Sequence, residues 1–223
     1  MKKVFCLIRH GESQSNAGEK TEHPQTVNLT PKGRLEAEAK AAGFAAKPDL
    51  FITSRYVRTQ QTAAPFLKKF PDVPAEEWNI HEFTYLSAGK YKDTTNLERL
   101  PSMEEYWNRA DPFYKDDADA ESFAEFVQRC RDTVEQMKKC EGALTVAFCH
   151  GYVMNGIRCL LEGRFDKVDA DTMRDFWQYH KTHKIENCAT LEFEVDADSV
   201  TLVTKPAPAP VRKPKKPGAF TND

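Results

Sequence analysis

Three apolar runs in this sequence end on side chains suited to an anion. "VFCLI" is followed by Arg9 and His10, then Gly11. "DLFITS" is followed by "RYVR", which holds Arg55 and Arg58. "ALTVAFC" is followed by His150 and Gly151. Arginine is rarely buried without a partner, so a buried strand that stops on Arg-His and then turns reads as built to meet a negative group. Two histidines among arginines can mean a metal site, a nucleophile or plain anion binding. A metal is disfavoured, because arginine repels a cation and no third histidine or paired carboxylate stands at ligand spacing. "HGE" has the H-x-E form of zinc deaminases, but their P-C-x-x-C partner is missing. Guanidinium forks suit phosphate oxygens. A neutral imidazole held among them can attack phosphorus in line and carry it as phosphohistidine. Gly11 and Gly151 are expected to let the main chain approach the phosphate closely.

Such side chains need strands that end on one edge. The three apolar runs are short and continuous, as in strands covered on both faces. Helical segments lie between them. "LTPKGRLEAEAKAAGFAA" offers Thr30 as N-cap and Pro31 at the first helical position. "VRTQQTAAPFLKKF" is helical, with Pro65 expected to kink or split it. "ESFAEFVQRCRDTVEQMKKC" repeats apolar residues at helical spacing behind a Ser122–Glu125 capping box. "YVMNGIRCLLEG" closes on Gly163, and "ATLEFEV" with "SVTLVT" reads as a terminal hairpin. Alternation of this kind predicts a three-layer α/β/α sandwich with a mostly parallel sheet. In open sheets of this type ligands bind beyond the carboxyl ends of the strands, where all three Arg/His clusters fall. Residues 71–120, rich in proline, aromatics and charge, read as an inserted lid of loops and short helices. The organisation expected is a catalytic domain over 1–203 and a Pro/Lys-rich tail over 204–223.

Composition narrows the function classes. The 223 residues are 40% hydrophobic and 30% charged, which fits a globular protein with a sizeable core. A net charge of −2 points to neither nucleic acid nor an acidic membrane surface. No apolar stretch nears the ~20 residues of a spanning helix, and the run after Lys3 is shorter than a signal sequence needs. A cytoplasmic protein is expected. The six cysteines form no C-x-x-C pair and read as reduced core residues.

"LIRHGES", "SRYVRTQQTA" and "FCHG", with "NLTPKG" opening the first helix, resemble the histidine phosphatase superfamily, the phosphoglycerate-mutase-like enzymes. The resemblance spans about residues 3–203 in the family's order. It implies a three-layer α/β/α fold and no cofactor. It also implies that His10 is the phosphorylated nucleophile, that Arg9 and Arg58 bind the transferred phosphoryl group, and that His150 completes the pocket. Asn16 matches an asparagine near the phosphate, and Gly151 falls in the same pocket. The family's general acid is a carboxylate after the second helix. Glu82 in "NIHEFTYL" fits best, because Ile80, Phe83 and Tyr85 around it favour burial and a raised pKa; Glu76 and Glu77 are next in line. His81, His180 and His183 read as structural or surface residues, and His23 as one that could line the pocket.

The family holds phosphatases and mutases. Its mutases carry a Trp and an "FTGW"-like stretch after the first motif, whereas "QSNAGEKTEHPQTVNLTPKG" contains no aromatic residue. Hydrolysis of a small phosphorylated metabolite is therefore expected, with a phosphoglycerate or phosphosugar mutase, or a non-catalytic phospho-ligand module, as alternatives.

Overall fold

The computed structural model describes residues 3–203, so the expected 204–223 tail lies outside the described residues. Strands β1 (Lys3–Arg9), β2 (Leu50–Thr53), β3 (Ala75–Glu77), β4 (Leu144–Cys149), β5 (Thr190–Val195) and β6 (Val200–Leu202) form one sheet in the order β3-β2-β4-β1-β5-β6. The pairs β3–β2, β2–β4 and β4–β1 are parallel, while β5 and β6 add antiparallel strands at one edge. The helices are α1 (Pro31–Gly43), α2 (Val57–Lys69), α3 (Leu100–Arg109), α4 (Phe123–Lys139), α5 (Gly151–Leu161) and α6 (Ala170–Thr182).

Alternation along the strands produces the layers. Phe5, Leu7, Ile52, Ala147 and Cys149 face a large core shared with α4, α5 and α6. Cys6, Ile8, Phe51, Val146 and Phe148 face a second core with Ala41 of α1 and Ala63 and Phe66 of α2. Strands sandwiched between two such cores have no polar face, which is why they appear in the sequence as unbroken apolar runs. Parallel register then sets the site: Arg9 stands opposite Cys149, and Thr53 opposite Phe148. His10, Ser54 and His150 follow on the same edge.

The expected caps are present. Thr30 accepts from Gly33 N at 3.0 Å, and Ser122 and Glu125 form the capping box. Three readings change. Pro65 does not split α2, which runs unbroken through it; the burial of Thr59, Thr62, Ala63 and Phe66 holds the helix together. Gly11 has a second cause in helix α1, since a Cβ there would sit 2.4 Å from the Gly33 carbonyl oxygen. Helix α6 was not foreseen, although Asp169 caps it by accepting from Thr172 N at 2.9 Å. Segment 71–120 contains edge strand β3 and helix α3, with loops elsewhere.

Candidate active site

A pocket of about 540 Å³ opens at this strand edge. Arg9, His10, Asn16, Arg58, Glu82 and Gly151 all line it. His150 stands behind them, fully buried, with its ring 5.2 Å from that of His10. The strand-end clusters thus converge, with one exception. Arg55 turns away and donates to His81 Nε2 at 3.3 Å.

The state of His10 follows from its partners. Its Nδ1 lies 2.7 Å from the Gly11 carbonyl, which can only accept, so Nδ1 carries the proton. Its Nε2 lone pair accepts from Arg58 Nε at 3.1 Å. Burial, reinforced by Arg58 and Arg9, holds the imidazole pKa well below the usual histidine range. The ring is a neutral base whose free nitrogen faces the pocket's cations. Burial lowers Arg58 to about 10, so it stays charged at neutral pH. Arg58 also donates from Nη1 to Pro24 O at 2.6 Å, which anchors the fork.

Two buried nitrogens near His10 have no partner among the described residues. Arg9 donates from Nη1 to Ile185 O at 2.6 Å, but its Nε is unpaired. His150 is held through Nε2 at 2.8 Å from Ser54 Oγ, and its Nδ1 is unpaired. Burying polar atoms unpaired costs on the order of 1–3 kcal/mol each. Atoms left so, beside two guanidinium groups, have the chemistry to receive an oxyanion.

Glu82 lines the pocket with its carboxyl held by the main chain. Its Oε1 accepts from Phe83 N at 3.1 Å and from Tyr152 N at 3.2 Å. Burial pushes its pKa up, against the opposing pull of Arg58 and these main-chain bonds. Glu76 and Glu77 are exposed on edge strand β3 and line no part of the pocket. Arg129 holds the chain around Glu82 in place. It pairs with both oxygens of Glu121 at 2.7 Å and donates to His81 O at 2.8 Å. Asn16 sits at the rim, where its Oδ1 accepts from Ser13 N and Oγ and from Asn187 Nδ2. That leaves its amide N–H groups to face outward as donors. At Gly151, a Cβ would meet Arg9 Nε at 3.7 Å and His180 Cε1 at 3.8 Å, both ordinary contacts. No group of three His, Cys, Asp or Glu residues placed to hold a metal occurs among the described residues.

The sequence matches the family described as the histidine phosphatase superfamily (branch 1) over residues 5–205. The chain belongs to the histidine phosphatase superfamily. A 2,3-bisphosphoglycerate-dependent phosphoglycerate mutase of Beijerinckia indica subsp. indica is 27% identical over 175 residues, covering 73% of this chain and 83% of its own. The fold is that of the α-ribazole phosphatase from Shigella flexneri, at TM-score 0.69 and 18% identity, covering 90% of this chain and 94% of that one. It is also that of the Entamoeba histolytica phosphoserine phosphatase solved with 3-phosphoglyceric acid, at TM-score 0.67 and 18% identity, covering 91% and 95%.

In this histidine phosphatase fold the pocket continues outward between two loops. Thr21 bridges Thr94, Ser15 exchanges bonds with Asn96, and Arg99 donates to Thr21 Oγ1, Thr94 O and Asn96 Oδ1. The loop after β1 is thereby tied to the 71–120 segment. Sequence reasoning passed over two side chains here. Ser54 holds His150, and its signal was its place at the end of the second apolar run. His180, taken as structural, lines the pocket, whereas His23 does not. No helix among the described residues is long and apolar enough to cross a membrane.

Proposed function

We propose that the protein is a phosphomonoester hydrolase working through a phosphohistidine on His10. What carries this reading is one pocket holding a neutral His10 with its Nε2 lone pair inward, two arginines and a carboxyl of raised pKa, with two unpaired buried nitrogens, Arg9 Nε and His150 Nδ1, beside it. A substrate phosphoryl group drawing the donors of Arg9, Arg58 and His150 frees the His10 lone pair from Arg58 Nε. Nε2 then forms a bond to phosphorus as the P–O bond to the alcohol breaks. Protonated Glu82 gives its proton to the departing oxygen. The resulting carboxylate takes a proton from water, whose oxygen attacks phosphorus, and inorganic phosphate leaves as the N–P bond breaks. The guanidinium groups stabilise the charge of both transition states. Asn16 adds a rim donor to the bound phosphate, and Gly151 leaves room beside Arg9.

The catalytic unit is residues 1–203, with 71–120 as the lid that meets the leaving group. The substrate is a small phosphorylated metabolite. The mutase relative marks the second reading, transfer from His10 to a phosphorylated acceptor instead of water. The stretch between Gln14 and Gly33, without aromatic residues, favours water.

Brief exposure to a ³²P-labelled phosphomonoester should leave an acid-labile, base-stable label on the wild type and none on His10→Ala. The variant should lose at least about 10³-fold in rate while keeping its circular dichroism spectrum. A variant that keeps more than a few per cent of the rate sinks the phosphohistidine mechanism. Phosphate appearing on an added phosphorylated acceptor, and not in solution, moves the reading to the mutase.

A further inference from the structure

His180 lies on α6 and enters the pocket wall beside Gly151 and Tyr152. Its ring lies flat on Tyr152, with centroids 3.8 Å apart and planes 9° apart. Its Nδ1 is 3.1 Å from the side-chain nitrogen of Asn155, a residue with no exposed surface.

The partners of Asn155 decide which His180 nitrogen carries the proton. Arg158 can only donate, and its Nη1 is 3.2 Å from Asn155 Oδ1. The His183 carbonyl can only accept, and it is 2.9 Å from Asn155 Nδ2. These two contacts fix the amide the right way round. One N–H of Nδ2 goes to His183 O and the other is aimed at His180 Nδ1. That nitrogen must therefore be bare. A neutral imidazole bare at Nδ1 carries its hydrogen on Nε2. Burial, then the charges of Arg9 and Lys184, hold the ring's pKa down at about 3, so it stays neutral.

The geometry also decides where that hydrogen can go. Tyr152 covers one face of the ring and Asn155 covers the Nδ1 edge, so the remaining edge meets the pocket. His180 Cε1 and Arg9 Nε approach the same point above Gly151, at 3.8 and 3.7 Å from a Cβ placed there. The hydrogen bond of the His180 ring is the one at Nδ1, which leaves Nε2 for the pocket, and the neighbouring Arg9 Nε is buried and unpaired among the described residues.

We propose that His180 is a substrate-binding residue that donates its Nε2 hydrogen to a substrate oxygen on the Arg9 side of the phosphoryl group, with Asn155 as the positioning residue that fixes this donor. The proposal rests on the phosphomonoester reading above and adds a fourth element to the oxyanion receptor. A neutral donor suits this place. It adds a hydrogen bond without a third cation, which would draw electron density from His10 and hold the product phosphate.

The test compares wild type, His180→Leu, His180→Gln and Asn155→Asp for turnover of p-nitrophenyl phosphate and for binding of orthovanadate. His180→Leu should raise KM and weaken vanadate binding about tenfold, the scale of one hydrogen bond to a charged acceptor. His180→Gln restores an amide donor and should recover most of the loss. Asn155→Asp presents an acceptor to Nδ1, so the proton should move there and the Leu-like loss should appear with His180 intact. Nitrogen-15 spectra of the histidines should show the Nε2–H form in wild type and the Nδ1–H form in Asn155→Asp. Unchanged KM and vanadate affinity in His180→Leu, or an Nδ1–H tautomer in wild type, overturns the proposal. Should the wild type release no phosphate from any ester while vanadate binding still depends on His180, the hydrolase reading fails and this one stands.

Discussion

The pocket has two ends built on different principles. At the phosphoryl end, side chains leave the carboxyl ends of β1 and β4 or the first turn of α2. Each is fixed by main-chain or buried partners: His10 by Gly11 O, Arg9 by Ile185 O, Arg58 by Pro24 O, His150 by Ser54 Oγ. At the leaving-group end, the walls come from the loop after β1 and the 71–120 segment. There the ties are loop to loop, through Ser15, Asn96, Arg99 and Thr21. The first end is preorganised by the sheet and costs nothing further to order when phosphate arrives. The second is held by bonds that exchange with water and can be redrawn without touching the core. Chemistry common to a family belongs at the first end and substrate choice at the second.

The largest effect that separates the ends is expected from Arg58. Its Nε meets His10 Nε2, and in the proposed reaction its guanidinium binds the phosphoryl group. Arg58→Ala should lower kcat/KM about 10²–10³-fold, the cost of losing one preorganised charge donor. The loss should be equal for every ester, because the phosphoryl group is common to all. Loss that varies tenfold or more between leaving groups would show that Arg58 reads the substrate body and would erase the division. Since Arg58 also anchors Pro24 O, the measurement needs a thermal melt beside it to show that the variant is folded.

How far each end could be read from the sequence follows the same division. Arg9, His10 and His150 were legible because β1 and β4 are apolar on both faces, so their ends stand out where polarity returns; the end of β2 offered Arg55 and Arg58 alike, and the family resemblance chose Arg58. Parallel pairing then brings those ends together without knowledge of any loop. Glu82 came from the family resemblance and its apolar neighbours, and burial bears out that setting. His180 was not legible. Its role depends on α6 lying against α5 so that Asn155 can choose its tautomer, and no local pattern encodes that contact. Arg99 carries no signal in the sequence, because its acceptors, Thr21 and Asn96, lie on two separate loops. Pro65 shows the converse: local propensity allows a split there, but α2 runs on through it because its buried face packs on the sheet.

Glu82 lies between the two ends and should divide the substrates by chemistry. An alkoxide leaves poorly without a proton, while p-nitrophenolate leaves readily. Glu82→Gln should slow alkyl phosphates about 10²-fold and p-nitrophenyl phosphate less than tenfold. The pH dependence has a definite sign. The carboxyl pKa is raised, so the donor form is lost as pH climbs through that raised value. The His10 pKa is lowered, so the nucleophile stays neutral until pH falls well under the histidine range. Alkyl phosphate turnover should therefore fall on the alkaline side in wild type, and that limb should vanish in Glu82→Gln. Stability moves the same way. A buried carboxyl with a raised folded pKa contributes stability while protonated and loses it as pH rises through that pKa. Glu82→Gln should thus melt higher than wild type at alkaline pH. Equal slowing of both esters with the alkaline limb intact would take the acid role away from Glu82.

The smallest effect is expected from Arg99, and it tests the outer end alone. Arg99 touches no group of the phosphoryl receptor. It joins Thr21, Thr94 and Asn96 across the mouth through hydrogen bonds worth about 1 kcal/mol apiece, and several of its acceptors are open to water. Arg99→Gln shortens the side chain and removes the fork, so the two loops should part more easily while the strand ends stay where they are. KM for esters with a bulky alcohol should rise about threefold to tenfold, whereas kcat for p-nitrophenyl phosphate and the affinity for orthovanadate should hold within a factor of two or so. Hydrogen exchange should quicken at Thr21 and Asp93, whose amides donate to Thr94 O and Thr21 O, and not in β1 or β4. If vanadate affinity fell together with KM, the loops would be part of the phosphoryl receptor. The two ends would then be a single unit, ordered by the lid as much as by the sheet.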